Sequence, residues 1–239
     1  MARHAPPFLQ EPLMPENEPK KQPSIFFAIP CGTERDGWIH PGILSFLMAT
    51  MPRRPSMVVH LSLDARPVDF ARRKICDAFL RGDAEWLAML DNDVVPSLSL
   101  CEILDSAPSD AAVIVPKVHL PVGGFHPAAL GWIPAGETDS NGWQPLGQAI
   151  TASIFIRRKT FSKIARPFFQ VGINPDGSPR AEDETFCEKV RAAGLKIYGN
   201  RFFSCSHFRT LDLNLISDKM PEFNGSHIIA EKNKMAAGR

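Results

Sequence analysis

Short runs of apolar residues alternate along the chain with stretches in which apolar residues recur every three or four positions. The runs are typical of buried strands, and the recurring spacing is typical of amphipathic helices. The order of the two patterns predicts an α/β fold with parallel strand pairing. The predicted strands are 25–29, 57–61, 86–90 and 111–115, and the predicted helices are 39–51, 67–80 and 98–106.

The pattern changes after Pro116. Residues 117–148 are rich in glycine and proline and contain Trp132 and Trp143. A stretch of this length in a compact domain is often a substrate-binding element, and an irregular hairpin with surface aromatics explains it equally well. Beyond it, the pattern predicts strands at 149–156, 196–198 and 202–204, and helices at 157–164 and 182–193.

The composition indicates one folded domain between two polar ends. The chain has 239 residues with a hydrophobic fraction of 44%, which is enough for one substantial core with or without a small subdomain. Residues 1–23, rich in proline, glutamate and lysine, predict a flexible N-terminal arm. The folded domain is predicted over 24–210, and 211–239 is predicted to be a C-terminal tail.

Charge and cysteine usage narrow the class of protein. The net charge of +1 provides no bulk field for nucleic acid or an anionic membrane, and no direct nucleic-acid patch is evident. The five cysteines form no Cys-x-x-Cys pair, which is typical of reduced thiols in the cytosol. Because no apolar run reaches the length of a membrane span, we expect a cytoplasmic protein without a transmembrane segment.

The most informative stretch is 86–96, WLAMLDNDVVP. Its apolar strand ends at Asp91-Asn92-Asp93, and ligands of open α/β sheets lie just beyond the carboxyl ends of strands. Two carboxylates one residue apart can face a common Mg²⁺ or Mn²⁺, which often shares its oxygen ligands with substrate phosphates. An Asp-x-Asp triplet arises by chance roughly 0.8 times in a chain of this size. The prediction of a metal site therefore depends on the position of the triplet after a strand. The alternative to a metal site is a solvated turn.

Two later groups belong to the same hypothesis. Glu182, Asp183 and Glu184 lead a predicted helix, where the helix dipole favours acidic side chains, so capping alone explains one or two of them. His207 follows the last predicted strands. Neutral imidazole binds divalent metals, so His207 is a candidate metal ligand. The alternative is that His207 is hydrogen-bonded to backbone at the end of a strand.

Taken in order, these motifs resemble those of the GT-A glycosyltransferases, particularly the family-2-like enzymes of bacteria and phages. The resemblance covers roughly residues 24–210, and the ordered set carries it rather than any single motif. The matching segments are the first nucleotide-contacting loop (29–34), a segment similar to Ala-Arg-Asn (70–73), the Asp-x-Asp element, the strand before the acceptor side (152–158), and the helix start 182–187 with 194–198.

The resemblance implies a Rossmann-type sandwich with a mainly parallel central sheet flanked by helices. It implies transfer of a sugar from a nucleotide-sugar donor, a UDP- or GDP-sugar, to an acceptor hydroxyl with inversion. The acceptor would be a glycan, a lipid, a protein or a modified base. Asp93 would bind Mn²⁺ or Mg²⁺ directly, with Asp91 on the metal, its water or the ribose, and His207 as third ligand. Asp183 would be the general base, and Glu182 would contact the acceptor or cap the backbone.

Six further residues could contact the donor or the acceptor. Glu34 and Asp64 follow the first two strands and could accept hydrogen bonds from the base and ribose, while Arg66 and Arg72 could pair with phosphate oxygens. A capping role for Asp64 and a position of Arg72 on the wet face of its helix are the alternatives. Trp132 could stack on a sugar ring, as could Trp143, and interfacial packing explains both equally well.

Two other functions remain open. A nucleotidyltransferase would be expected to carry a glycine-rich phosphate loop with a nearby lysine, but residues 31–37 contain only two glycines and no lysine. A GT-A-shaped binding module without catalysis is compatible with Thr33 and Ala152, where the family often has Asn and Gly. The presence of both aspartates of the triplet, of Asp183 and of His207 argues against such a module.

Overall fold

The computed structural model describes residues 22–31, 38–63, 67–119 and 132–208. The predicted arm 1–23 and tail 211–239 lie almost entirely outside these ranges. The strands are β1 (Ile25–Pro30), β2 (Met57–Ser62), β3 (Trp86–Leu90), β4 (Val94–Pro96), β5 (Ala111–His119), β6 (Trp132–Pro134), β7 (Trp143–Ala149), β8 (Ser153–Arg157), β9 (Gly172–Ile173), β10 (Pro179–Arg180) and β11 (Lys196–His207). The α-helices are α1 (Pro41–Thr50), α2 (Val68–Arg81) and α3 (Glu182–Ala192).

The main sheet has the strand order β2-β1-β3-β8-β5-β11-β7-β6, with β4 paired to β11, and β9 and β10 form a separate hairpin. Strands β1, β2, β3, β5, β6 and β11 run in one direction, while β4, β7 and β8 run in the other. The α/β fold with a mainly parallel sheet is therefore confirmed. The prediction that successive strands all pair in parallel is wrong, because β8 lies antiparallel between β3 and β5.

Helices cover both faces of this sheet. Trp86, Ala88 and Leu90 belong to a core cluster that includes residues of α1, whereas Leu87 and Met89 belong to a second cluster that includes residues of α2 and α3. Since successive strand residues point to opposite faces, a strand buried on both sides needs an unbroken apolar run. This is why β3 is the clearest strand in the sequence and is buried along its whole length.

Two predicted helices are shorter than expected. The segments 98–106 and 157–164 contain only short 3₁₀ turns, Leu100–Leu104 and Arg158–Ser162. In the first, Leu100 N–H donates to Ser97 and Glu102 N–H donates to Ser99, both bonds spanning three residues. A segment this short gains few α-helical hydrogen bonds to offset the cost of nucleation.

Residues 132–148 form the predicted hairpin, although its tryptophans are not at the surface, because Trp143 is buried and Trp132 is half-buried. Strands β6 and β7 pair antiparallel, and the Asp139 carboxylate accepts hydrogen bonds from the N–H groups of Asn141 and Trp143 at the turn. Gly142 there has φ +80°, a left-handed conformation that glycine adopts without strain. The predicted strand 149–156 is instead split between β7 and β8, while the two short strands predicted near the end form one strand, β11.

Two further properties concern the cysteines and the helices. All five cysteines are free and buried. No helix in the described parts of the chain has the length and apolar character that crossing a membrane requires.

Candidate functional site

The Asp91–Asp93 turn lies between β3 and β4. Asp91 N–H donates to Ala152 O over 2.9 Å, and Val94 N–H donates to Asp91 O over 3.1 Å. These bonds reverse the chain, and β4 then pairs antiparallel with the end of β11, with Val94 opposite His207. The sequence pattern predicted the turn but not β4, which is the element that brings the turn to His207.

Asp93 and His207 are in direct contact. His207 Nε2 lies 3.1 Å from Asp93 Oδ2, and Phe208 N–H donates to Asp93 O over 2.8 Å. The side chains are 31% exposed for Asp93 and 12% for His207. Within the described residues, the buried Nδ1 atom of His207 has no hydrogen-bond partner. A carboxylate and an imidazole therefore meet in a partly open position at the end of the sheet.

Arg72 connects this turn to the start of α3. Its Nη2 donates to Asp91, 3.1 Å from Oδ1 and 3.4 Å from Oδ2, and to Thr151 O at 3.3 Å. Its Nη1 donates to Glu182 Oε1. The side chain is only 4% exposed, so the alternative of a solvated arginine on the wet face of α2 is wrong. Desolvation raises the pKa of Asp91, and the Arg72 guanidinium opposes that rise.

Asp183 lies in the first turn of α3, beside the Arg72–Glu182 pair. The Glu184 N–H donates to Asp183 Oδ1 over 2.8 Å. Burial raises the pKa of Asp183, and the negative charge of Glu182 raises it further, while the hydrogen bond from Glu184 N–H and the charge of Arg72 lower it. The three acids thus differ in environment: Glu182 is ion-paired, Asp183 is half-buried near the arginine, and Glu184 provides a backbone donor.

The remaining predicted contacts divide into two groups. Glu34, Asp64 and Arg66 lie outside the described residues, so their donor contacts stay predictions. Trp132 packs against the second core cluster and over Gly199, where its ring atoms would lie 3.0 Å from an added Cβ. Trp143 is buried in the first cluster, so surface stacking on a sugar is wrong for Trp143.

Four residues near the turn, Trp38, His40, Asn92 and Phe208, were given no role on the basis of the sequence. Asn92 Nδ2 donates to Trp38 O over 2.7 Å, and His40 N–H donates to Asn92 O over 3.0 Å. The His40 ring stacks on Phe208 at 4.4 Å and its Nδ1 caps α1 by accepting from Gly42 N–H. A histidine directly before Pro41 at a predicted helix start was the available sequence signal.

The donor chemistry at this turn fits a divalent cation. Within the part of the chain that the structure describes, no group of three or more His, Cys, Asp or Glu is arranged as a metal site. Asp93 and His207 nevertheless present an oxygen and a nitrogen donor side by side, with an unpartnered buried Nδ1. Both donor types are found on Mn²⁺ in proteins, and Mg²⁺ takes the oxygen. The second carboxylate, Asp91, points to Arg72 instead.

Comparisons with known proteins bear on the fold. No protein-family model and no curated protein matches the sequence. Among solved structures, A197 from STIV is 20% identical with a TM-score of 0.55, covering 78% of this chain and 86% of that chain. GalNAc-T7, solved with UDP, GalNAc and Mn²⁺, is 11% identical with a TM-score of 0.52, covering 80% of this chain and 44% of that chain.

These similarities and the sheet topology define the class: the chain has a GT-A-like glycosyltransferase fold. The fold that the sequence motifs implied is thereby confirmed. The finer grouping with family-2-like enzymes of bacteria and phages stays a prediction, because at these identities the likeness extends to the fold alone.

Proposed function

We propose that this protein is a metal-dependent glycosyltransferase that moves a sugar from a UDP- or GDP-sugar to an acceptor hydroxyl with inversion. The observation that carries the proposal is the bridge formed by Arg72, which contacts Asp91 on the donor side and Glu182 beside Asp183. Residues far apart in sequence thereby share one site at the carboxyl end of β3, where ligands of α/β sheets bind.

Asp93 and His207 are the residues that would hold Mn²⁺ or Mg²⁺. Such an ion, when bound, stabilises the charge that develops on a departing nucleoside diphosphate. The structure of GalNAc-T7 with UDP, GalNAc and Mn²⁺ supports this choice of donor and metal by analogy. Predicted contacts of Glu34, Asp64 and Arg66 with the base, ribose and phosphates would complete the donor side.

Asp183 is the proposed general base. Its carboxylate would take the proton of the acceptor hydroxyl while that oxygen attacks the anomeric carbon from the face opposite the diphosphate. Its raised pKa makes it a stronger proton acceptor than an ordinary carboxylate. Glu182, held by Arg72, and Trp132, at the edge of the sheet, are the proposed acceptor contacts.

The test is donor turnover by purified protein. UDP- and GDP-sugars are incubated with Mn²⁺ and candidate acceptors, and release of nucleoside diphosphate is measured for wild type, Asp183→Asn and Glu184→Gln. We expect turnover by wild type and Glu184→Gln and a loss of about 10²–10⁴-fold in Asp183→Asn. Metal-dependent donor binding without turnover by wild type would instead identify a binding module.

The free, buried state of all five cysteines supports the further proposal that the protein acts in the cytoplasm. Thiols of this kind persist in reducing compartments.

A further inference from the structure

The buried guanidinium of Arg72 is ion-paired with two carboxylates from distant parts of the chain. Arg72 contacts Asp91, 19 residues away, through Nη2 and Glu182, 110 residues away, through Nη1. The guanidinium also lies 5.9 Å from the centre of the Phe169 ring, which stacks on Phe186 of α3 at 4.4 Å. Its contacts therefore run from the end of β3 to the first residue of α3, and Phe169 connects it to the body of that helix.

The two carboxylates compete for this single positive charge. A buried ion whose partner is removed is costly, and the planar guanidinium offers a fixed fork of donors. Nη1 and Nη2 are divided between Glu182 and Asp91, and within the described residues the buried Nε atom has no hydrogen-bond partner. After the loss of either carboxylate, the guanidinium pairs with the other carboxylate alone, beside the carbonyl oxygen of Thr151.

We infer that Arg72 is a positioning residue that links cation binding at Asp93 and His207, next to Asp91, to the helix that carries Asp183. The inference rests on the proposed function. A divalent cation beside Asp91 neutralises that carboxylate and repels the guanidinium, so Arg72 then pairs with Glu182 alone and fixes the first turn of α3. The candidate base is thereby held in place when the donor site is filled.

Linkage makes this relation reciprocal. If cation binding strengthens the Arg72–Glu182 pair, then the Arg72–Glu182 pair must favour cation binding to the same extent. Glu182 therefore affects the affinity for Mn²⁺ without being a ligand of the ion. The effect is transmitted by the Arg72 guanidinium. When Glu182 does not bind this guanidinium, the guanidinium competes with the metal ion for Asp91.

The experiment measures the affinity of the full-length protein for Mn²⁺ alone, by the paramagnetic resonance signal of free Mn²⁺. The variants are Glu182→Gln, Glu184→Gln, Arg72→Gln and the double variant Arg72→Gln/Glu182→Gln. Glu184→Gln is the matched control, because it removes the same charge from the same helical turn and Glu184 shows no side-chain contact with Arg72 among the described contacts. We expect Glu182→Gln to weaken Mn²⁺ binding roughly fivefold or more beyond the loss in Glu184→Gln.

In the Arg72→Gln background, Glu182→Gln is expected to have only the smaller effect of the control. Equal losses in Glu182→Gln and Glu184→Gln, or a Glu182 effect that persists without Arg72, would overturn the link and leave the proposed function standing. Wild type that binds no Mn²⁺ would overturn the metal-dependent function together with the link. Equal losses in the two glutamate variants would overturn the link even if Arg72→Gln does not fold.

Discussion

His207 Nε2 lies 3.1 Å from Asp93 Oδ2, although 114 residues separate them in the sequence. The contact depends on the antiparallel pairing of β4 with β11, in which Val94 faces His207. A slip of this register by one residue would turn every side chain of β4 to the other face. The contact between Asp93 and His207 therefore depends on the strand register as well as on the types of the two residues.

Replacing Asp93 by alanine is expected to abolish metal-dependent nucleotide binding. Loss of even an outer partner of a metal ligand typically costs about 10–100-fold in affinity, so loss of the proposed ligand should cost at least that much. Calorimetry of UDP and GDP with and without Mn²⁺ measures the effect. The control is the replacement of the exposed Asp83 by asparagine. Equal affinities in both variants would show that Asp93 does not bind the metal.

The rate of transfer is expected to fall at acidic pH as Asp183 becomes protonated. Because burial and the charge of Glu182 raise the pKa of Asp183, the acidic limb of kcat/KM should lie above the ordinary range of an aspartate. Glu182→Gln removes one of the groups that raise this pKa, so the limb should move to lower pH. A pH profile of kcat/KM for both proteins tests this, and an unchanged limb would exclude Asp183 as the titrating base.

Asp183 should also influence how stability depends on pH. Its pKa is raised in the folded protein above the ordinary value of 3.8, so the folded state binds its proton more tightly than the unfolded state. The stability it contributes is present below pH 3.8 and is lost as pH rises through the raised pKa.

The Asp183→Asn variant lacks this titration. Its free energy of unfolding should therefore increase relative to wild type across that window, by at most about 1.4 kcal/mol per pH unit. Urea unfolding of both proteins at a series of pH values measures the difference. A difference that is constant with pH would contradict the raised pKa.

Gly42 is expected to be intolerant of a side chain. An added Cβ would lie 2.6 Å from Val95 Cγ1, and β-branched valine has little rotamer freedom with which to retreat. We expect Gly42→Ala to lower the free energy of unfolding by about 1–3 kcal/mol through overpacking of α1 against β4.

Gly82→Ala is the matched control for this prediction. Its added Cβ would lie 3.7 Å from Phe79 O, an ordinary contact, and its backbone is extended. This variant should be neutral or stabilising by up to about 1 kcal/mol. Chemical denaturation of the two variants under one set of conditions tests the pair, and equal stabilities would contradict the close approach of α1 to β4.

The parts of the fold that the sequence predicted well are those with a local cause. The run 86–90 is apolar at every position because β3 is covered on both faces, and the acids of 182–184 begin α3 where the helix dipole favours them. The position of β8 between β3 and β5 was not predictable in this way, because an apolar run gives no information about strand direction. The same is true of β4, which is only three residues long.

The sequence by itself predicted the positions of β1, β2, β3 and α3, because apolar spacing and acidic residues at a helix start are local properties of the chain. It therefore identified Asp91, Asp93, Asp183 and His207 as candidates. Only the tertiary structure decided that Asp93 meets His207 and that Arg72 joins Asp91 to Glu182. The first contact arises from the pairing of β4 with β11, and the second arises from the burial of the Arg72 guanidinium between two carboxylates. No local sequence pattern specifies either arrangement.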